Sequence, residues 1–208
     1  QVISCTTPGL LAFGQRAQPL PERNRTLIKV RRVGVCGTDL HAFEGTQPYF
    51  TYPRVLGHEF SGIIEHTHGN PAFKAGDVVT CVPYFNCGKC IACNAGKPNC
   101  CMQVQVCGVH IDGAMADYIS VPTAALVAGQ GLSMDELALV EPFAIGAHGV
   151  QRAAIEQDEF VLVMGAGPIG LCTLQMAMQA GGRVIALDVN AQRLSYCSSH
   201  LKLPFVIN

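Results

Sequence analysis

The sequence predicts two parts in series: a β-rich domain built from short strands, then the opening of an α/β unit. Three observations carry this. Short Val- and Ile-rich runs recur through the first half of the chain, each bounded by turn-forming residues. Beyond Ser133 the pattern changes to helix-like stretches. Near the end an apolar run, a cluster of glycines, a helical stretch and a second apolar run closing on a carboxylate follow one another, which is the order of a parallel βαβ unit.

At 208 residues the chain is long enough to bury a core in one or two domains. Fourteen Lys and Arg against fifteen Asp and Glu leave a formal charge of −1. Nothing basic enough for a nucleic-acid face or an anionic membrane surface is present, so neither is an expected partner. No apolar run reaches membrane-spanning length, and the start of the chain lacks a signal-peptide pattern. The first residue is Gln1, so further residues can precede it. The eleven cysteines are odd in number and clustered, which favours thiolate-bound metal in a reducing compartment over a disulfide scaffold. A cytoplasmic location is expected.

Residues 1–25 are a polar lead-in whose Pro8, Pro19 and Pro21 argue against a long helix. Thr26 to Val35 reads as a strand, and further strands are expected at Phe60–His66, Asp77–Pro83 and Ala116–Pro122. The turn-formers Gly69-Asn70-Pro71, Gly76-Asp77 and Asp112-Gly113 separate them, giving a small barrel or sandwich. Met134 to Val140 reads as a short helix with Ser133 as cap and Glu136 at the capping-box position. Pro142 can start a second helix, running to about Ala154.

The first chemistry-bearing stretch is Val35-Cys36-Gly37-Thr38-Asp39-Leu40-His41, followed by Gly57-His58-Glu59 and, far downstream, Glu141-Pro142. Cys36, His58 and one carboxylate would give a zinc ion three protein ligands and leave a position free for water or substrate, as a catalytic zinc requires. A buried thiol and a core histidine are the plainer alternative for these residues alone. The second stretch is Cys87, Cys90 and Cys93, with Cys100 and Cys101 close behind. Four thiolates at this spacing can wrap one tetrahedral zinc with no open position, and suit a metal better than two disulfides. Counting leaves Cys100 and Cys101 as alternatives for the fourth ligand. Cys81, Cys107, Cys172 and Cys197 are expected to be buried packing residues, and Cys5 has no assignment.

The third stretch is Gly165-Ala166-Gly167-Pro168-Ile169-Gly170, between the apolar strand Phe160–Met164 and a helix running to Ala180. The strand Arg183–Asp188 follows. The first glycine allows a tight turn and the second lets the backbone approach a pyrophosphate. The third lets the helix pack closely, with its N-terminal N–H groups facing the phosphates. Asp188 can accept hydrogen bonds from a ribose diol and would repel a 2′-phosphate, so NAD is expected rather than NADP.

Two zinc-type patterns and a dinucleotide pattern in this order resemble the zinc-dependent medium-chain alcohol dehydrogenases. Cys36-Gly37-Thr38-Asp39 and Glu141-Pro142 are most similar to the polyol and sugar-acid branch, with sorbitol, threonine and galactonate dehydrogenases. The resemblance implies a GroES-like, partly open β-barrel over 1–145, with a structural zinc lobe at about 84–103. An incomplete Rossmann domain, the first half of a doubly wound parallel sheet, would occupy 146–208. It implies Cys36, His58, Glu59 and Glu141 around a catalytic zinc, Glu141 binding directly or through water. Asp39 would orient His58, and Thr38 and His41 would relay a proton outward. It selects Cys101 to join Cys87, Cys90 and Cys93 at the structural zinc, making two zinc ions per chain. Gly165, Gly167, Pro168, Ile169, Gly170, Asp188 and Arg193 would bind NAD.

The implied activity is hydride transfer from a secondary alcohol of a polyol or sugar acid to NAD, in a homo-oligomer when full length. Members of the family continue well beyond Asn208, through the nicotinamide end of the cofactor domain, so the 208 residues alone are expected to lack turnover. Gln47, Tyr49 and Phe50 are candidate pocket residues. The other class open to the sequence is a non-catalytic zinc- and nucleotide-binding protein on the same scaffold, or an inactive fragment of such an enzyme.

Overall fold

The computed structural model describes residues 1–68 and 71–208, so Gly69 and Asn70 of the expected turn lie outside the described residues. The chain divides into two compact units, Gln1–Leu139 and Val140–Asn208.

The first unit opens with strands β1 (Val2–Thr7) and β2 (Leu10–Gly14), joined through Gly9 at φ +77°. This hairpin occupies the stretch read as lead-in. Its turn needs a left-handed residue, which Gly9 supplies without a steric penalty. Strand β3 (Arg25–Gly34) follows, then helix α1 (Gly37–Glu44), β4 (Arg54–Val55), β5 (Glu59–Thr67), β6 (Val78–Cys81) and β7 (Tyr84–Phe85). Next come α2 (Ile91–Asn94), β8 (Gln105–Val106), β9 (Tyr118–Pro122), β10 (Leu126–Ala128) and α3 (Met134–Ala138). The main sheet runs in the order β10-β6-β5-β3-β9, all antiparallel, with β2-β1-β4 and the β7-β8 ribbon as separate sheets. Ile28, Phe60, Ile64, Val79, Ile119 and Val121 form the core of the main sheet, and Cys5, Ala42, Phe50 and Leu56 form a second cluster. Phe50 packs within this second cluster, while Tyr49 is exposed.

Ser133 caps α3 as its sequence requires: Oγ accepts the Glu136 N–H at 3.3 Å, and the Glu136 carboxylate accepts the Ser133 N–H at 2.8 Å.

The second unit contains α4 (Val140–Ala153), β11 (Phe160–Met164), α5 (Pro168–Gln179), β12 (Arg183–Leu187), α6 (Ala191–Ser199) and β13 (Phe205–Ile207). Helix α4 begins two residues before Pro142, because proline is tolerated anywhere in a first turn whose N–H groups have no helical acceptor. Its three strands are parallel, in the order β11-β12-β13. Val163, Leu174, Ala177, Val184, Ala186, Leu194 and Cys197 make the core. The apolar run of β11 is buried only on one side: Val163 packs inward, whereas Phe160, Leu162 and Met164 are exposed. Alternate residues of a strand face opposite sides, and α5 packs on one of them.

No helix among the described residues is long and apolar enough to cross a membrane.

Candidate functional site

The first cluster is assembled by the junctions between β3 and α1 and between β4 and β5. Cys36 stands in extended conformation at the start of α1, and Gly45, at φ +81°, closes the helix in the left-handed region. Asp39, buried in the first turn, accepts the Cys36 N–H through Oδ2 at 2.9 Å and the Gly57 N–H through Oδ1 at 3.1 Å. One carboxylate thus fastens the segment carrying Cys36 to the segment carrying His58. The helix that results, unmarked by any apolar period in the sequence, puts Thr38 and His41 three residues apart on one face.

Glu59 begins β5 opposite Gly34 of β3. A Cβ at position 34 would stand 2.4 Å from Glu59 Oε2, so the glycine leaves room for the carboxylate. Ligand atoms of Cys36, His58 and Glu59 all lie within 4.8 Å of one another. His58 and Glu59 are each only 6% exposed. A thiol, an imidazole and a carboxylate gathered this closely are the donor types zinc takes, so the chemistry of the set fits the ion. Glu141, also buried, lies in the first turn of α4 in the second unit. His41 is exposed, its Nδ1 3.3 Å from Thr46 Oγ1 and 3.5 Å from a Glu44 carboxylate oxygen.

The four lobe cysteines, Cys87, Cys90, Cys93 and Cys101, also have their sulfurs within 4.8 Å. Cys90 Sγ stands 3.5 Å from that of Cys93 and 3.9 Å from that of Cys101. These separations are far too long for a disulfide, and bracket the ~3.8 Å edge of a tetrahedron with ~2.3 Å metal–sulfur bonds. Cys101 is in the cluster and Cys100 is exposed outside it. The main chain prepares two of these thiols for a cation. N–H groups of Cys93 and Met102 hold the Cys90 thiol down to about 6, and those of Lys89 and Cys90 lower Cys87. Cys101 Sγ accepts the N–H groups of Cys87 and Gln103, each at 3.3 Å. Against those two N–H groups, burial and the neighbouring Cys87 and Cys93 thiols leave Cys101 raised, and the packing cysteines are raised as well. Burial, then the charges of Asp112 and Asp39, pushes Cys107 up to about 12, and burial raises Cys81. Cys172 and Cys197 are buried as well, as is Cys5.

In the second unit Gly165 takes φ +95°, the left-handed turn that the first glycine was expected to make. Gly167 sits at the start of α5 in open space: a Cβ there would meet only the Arg193 guanidinium, at 3.8 Å. This is the room a phosphate needs to approach the backbone. At Gly170 the start of α5 lies close against the residue that follows β11, since a Cβ there would lie 1.8 Å from the Gly165 carbonyl oxygen. Pro168 and Ile169 begin α5. Asp188, 6% exposed, follows β12, with Arg193 Nη1 3.6 Å from its Oδ2. Main-chain N–H groups of Ala166 and Asn190 hold its carboxyl below the usual carboxylate range.

Residues 22–130 match the family model of the alcohol dehydrogenase GroES-like domain. The chain belongs to the medium-chain alcohol dehydrogenase family. Residues 141–207 match the model of the alanine dehydrogenase/PNT C-terminal domain, in keeping with a Rossmann-type second unit after a GroES-like first one whose sheets stay open. The chain is 46% identical over 206 residues to L-galactonate-5-dehydrogenase of Escherichia coli K12, covering 99% of this chain and 61% of that protein. Its fold matches an alcohol dehydrogenase, RspB, from E. coli CFT073, solved with NADH, at TM-score 0.92 and 33% identity over 100% of this chain and 61% of that one. It matches galactitol-1-phosphate dehydrogenase from E. coli at TM-score 0.92 and 29% identity, over 100% and 60%. The chain therefore spans about three-fifths of the length of these relatives.

Proposed function

We propose that the whole protein oxidises a secondary alcohol of a polyol or sugar acid to a ketone, using zinc and NAD. The observation that supports this most is the convergence of Cys36, His58 and Glu59 beside a helix bearing Thr38 and His41. On this reading Cys36, His58 and Glu59 hold the catalytic zinc. Cys87, Cys90, Cys93 and Cys101 hold a second, structural zinc. Bound at the first of these sites, zinc would supply Lewis acidity toward a substrate hydroxyl, and NAD would supply a hydride acceptor.

The chain's own residues handle the proton and the positioning. Thr38 Oγ1 receives the hydroxyl proton while passing on its own. His41 carries it toward solvent, a task suited to an exposed imidazole. Asp39 fixes the spacing of Cys36 and His58 by accepting the N–H groups of Cys36 and of Gly57, the residue before His58. Gly165, Gly167, Pro168, Ile169 and Gly170 receive the pyrophosphate of NAD at the start of α5, and Asp188 and Arg193 receive the adenosine ribose. The assembly is a homo-oligomer with a small-molecule substrate.

The test is NAD reduction by a protein of the relatives' full length over a panel of polyols, aldonates and amino-alcohols. Cys36→Ser should lower kcat/KM by at least about a thousandfold with the far-UV circular dichroism unchanged, as expected for loss of a metal ligand. Full activity in Cys36→Ser would contradict the proposal. A wild type that binds NAD and zinc but oxidises nothing would favour the non-catalytic reading.

A further inference from the structure

The carboxylate of Asp188 is already occupied. Oδ2 accepts the Ala166 N–H at 2.7 Å and Oδ1 accepts the Asn190 N–H at 2.7 Å. Ala166 lies between the first two glycines of the turn, and the preceding Gly165 N–H donates to the Leu187 carbonyl at 2.7 Å. Two successive amides of the glycine turn are thus tied to two successive residues at the end of β12. The Asp188 main chain is held too: its N–H donates to Ile207 O at 3.1 Å and its carbonyl accepts Asn208 Nδ2 at 2.9 Å. Asp188 joins the C-terminal ends of all three strands to the turn.

A buried anion beside a turn that receives phosphate is electrostatically unhelpful, since like charges repel more strongly where water is excluded. The geometry gives a reason for tolerating it. We propose that Asp188 is a positioning residue for the pyrophosphate, setting the shape of the glycine turn through Ala166 as well as meeting the ribose. The inference rests on reading the second unit as a dinucleotide site, and it assigns Asp188 a role that does not pass through the ribose hydroxyls.

The two roles predict effects of opposite sign on a ligand that has phosphates but no ribose hydroxyls. Asp188→Asn keeps the shape and can still exchange hydrogen bonds with hydroxyls. It presents an NH₂ to one of two main-chain N–H groups, so one contact is lost, and it removes a negative charge. If only charge and ribose contact mattered, 2′,3′-dideoxy-ADP would bind the variant as well as the wild type or better. If Asp188 holds the turn, the variant loses affinity for ADP and 2′,3′-dideoxy-ADP alike.

The experiment is calorimetric titration of the 208-residue chain and its Asp188→Asn variant with ADP and with 2′,3′-dideoxy-ADP, alongside amide hydrogen exchange of the ligand-free proteins. The expected result is a loss of about tenfold for both nucleotides, with faster exchange at Ala166 in the variant. A loss confined to ADP, or unchanged exchange at Ala166, overturns the proposal. Should the variant fail to fold, the wild type alone decides: protected amides at Ala166 and Asn190 support the clamp, and free exchange at both refutes it. If the wild type binds neither nucleotide, the dinucleotide reading itself falls and this role with it. A failed clamp is told apart because the wild type then still binds ADP.

Discussion

Replacing Cys90 by serine is expected to release one equivalent of zinc and to unfold the lobe between β7 and β8. The lobe has almost nothing else to hold it. Helix α2 buries none of its residues, Ile91 is 79% exposed and Met102 75%. What it does have is a set of sulfurs at tetrahedral spacing, and main-chain N–H groups that hold the Cys90 thiol down to about 6. Ligand thiols must lose their protons to bind metal, so a pre-ionised thiol lowers the cost of loading. In small zinc domains metal binding is worth about 10–16 kcal/mol of folding free energy, an upper bound for one ligand here. Elemental analysis and limited proteolysis check this together. One zinc fewer and new cleavage within residues 86–104 is the expected pair. Unaltered metal content and an intact lobe would mean the four cysteines are not a metal site.

Gly170→Ala is expected to disrupt the second unit, while Gly167→Ala should spare its fold and cost nucleotide affinity. The added methyl at 170 would lie 1.8 Å from the Gly165 carbonyl oxygen and 2.8 Å from its carbon, both backbone atoms that can move only if the turn moves. Overpacking a tight site costs ~1–3 kcal/mol, and more where the obstacle is main chain. For a unit of this size that lowers its unfolding midpoint by on the order of 10 °C. At 167 the methyl would meet nothing nearer than the Arg193 guanidinium at 3.8 Å, so it would fill only the space left for phosphate. Thermal unfolding read beside ADP titration separates the two variants. Equal stability losses, or no loss of ADP binding in Gly167→Ala, would remove the glycine turn from the binding site.

The extent to which the chain could be read from sequence follows from how local each signal is. Strand β11, the glycine turn, α5 and β12 lie in unbroken order, and each is marked by its own residues. Ser133 and Glu136 announce α3 for the same reason, since a capping box is satisfied within four residues. The β1–β2 hairpin is hard to read because the proline of its short turn, Pro8-Gly9, registers first, with Pro19 and Pro21 beyond, as a helix breaker. Helix α1 has Gly37 at its first position, and its eight residues bury only Asp39 and Ala42. It is held by contacts to Gly57, which no local pattern reveals. The role of Gly34 beside Glu59 and that of Asp188 at Ala166 were equally unreadable, because each depends on the register of two distant segments. The choice of Cys101 over Cys100 needed three-dimensional spacing or a known family, not counting. The exposure of Phe160, Leu162 and Met164 shows the limit of apolarity as a burial signal: a run without polar residues says what a strand is able to bury, not what covers it.

The most direct test of the account is a Co²⁺ titration of the metal-free 208-residue chain, followed by visible and near-ultraviolet absorption. If Cys36, His58 and Glu59 form a metal site distinct from the cysteine lobe, binding saturates at two equivalents with two spectra. One shows the strong sulfur-to-metal bands of four thiolates, and the other the weaker bands of a single thiolate. Cys36→Ser then removes only the weaker set, and Cys90→Ser only the stronger. Saturation at one equivalent, or two equivalents retained in Cys36→Ser, would contradict the proposed catalytic centre.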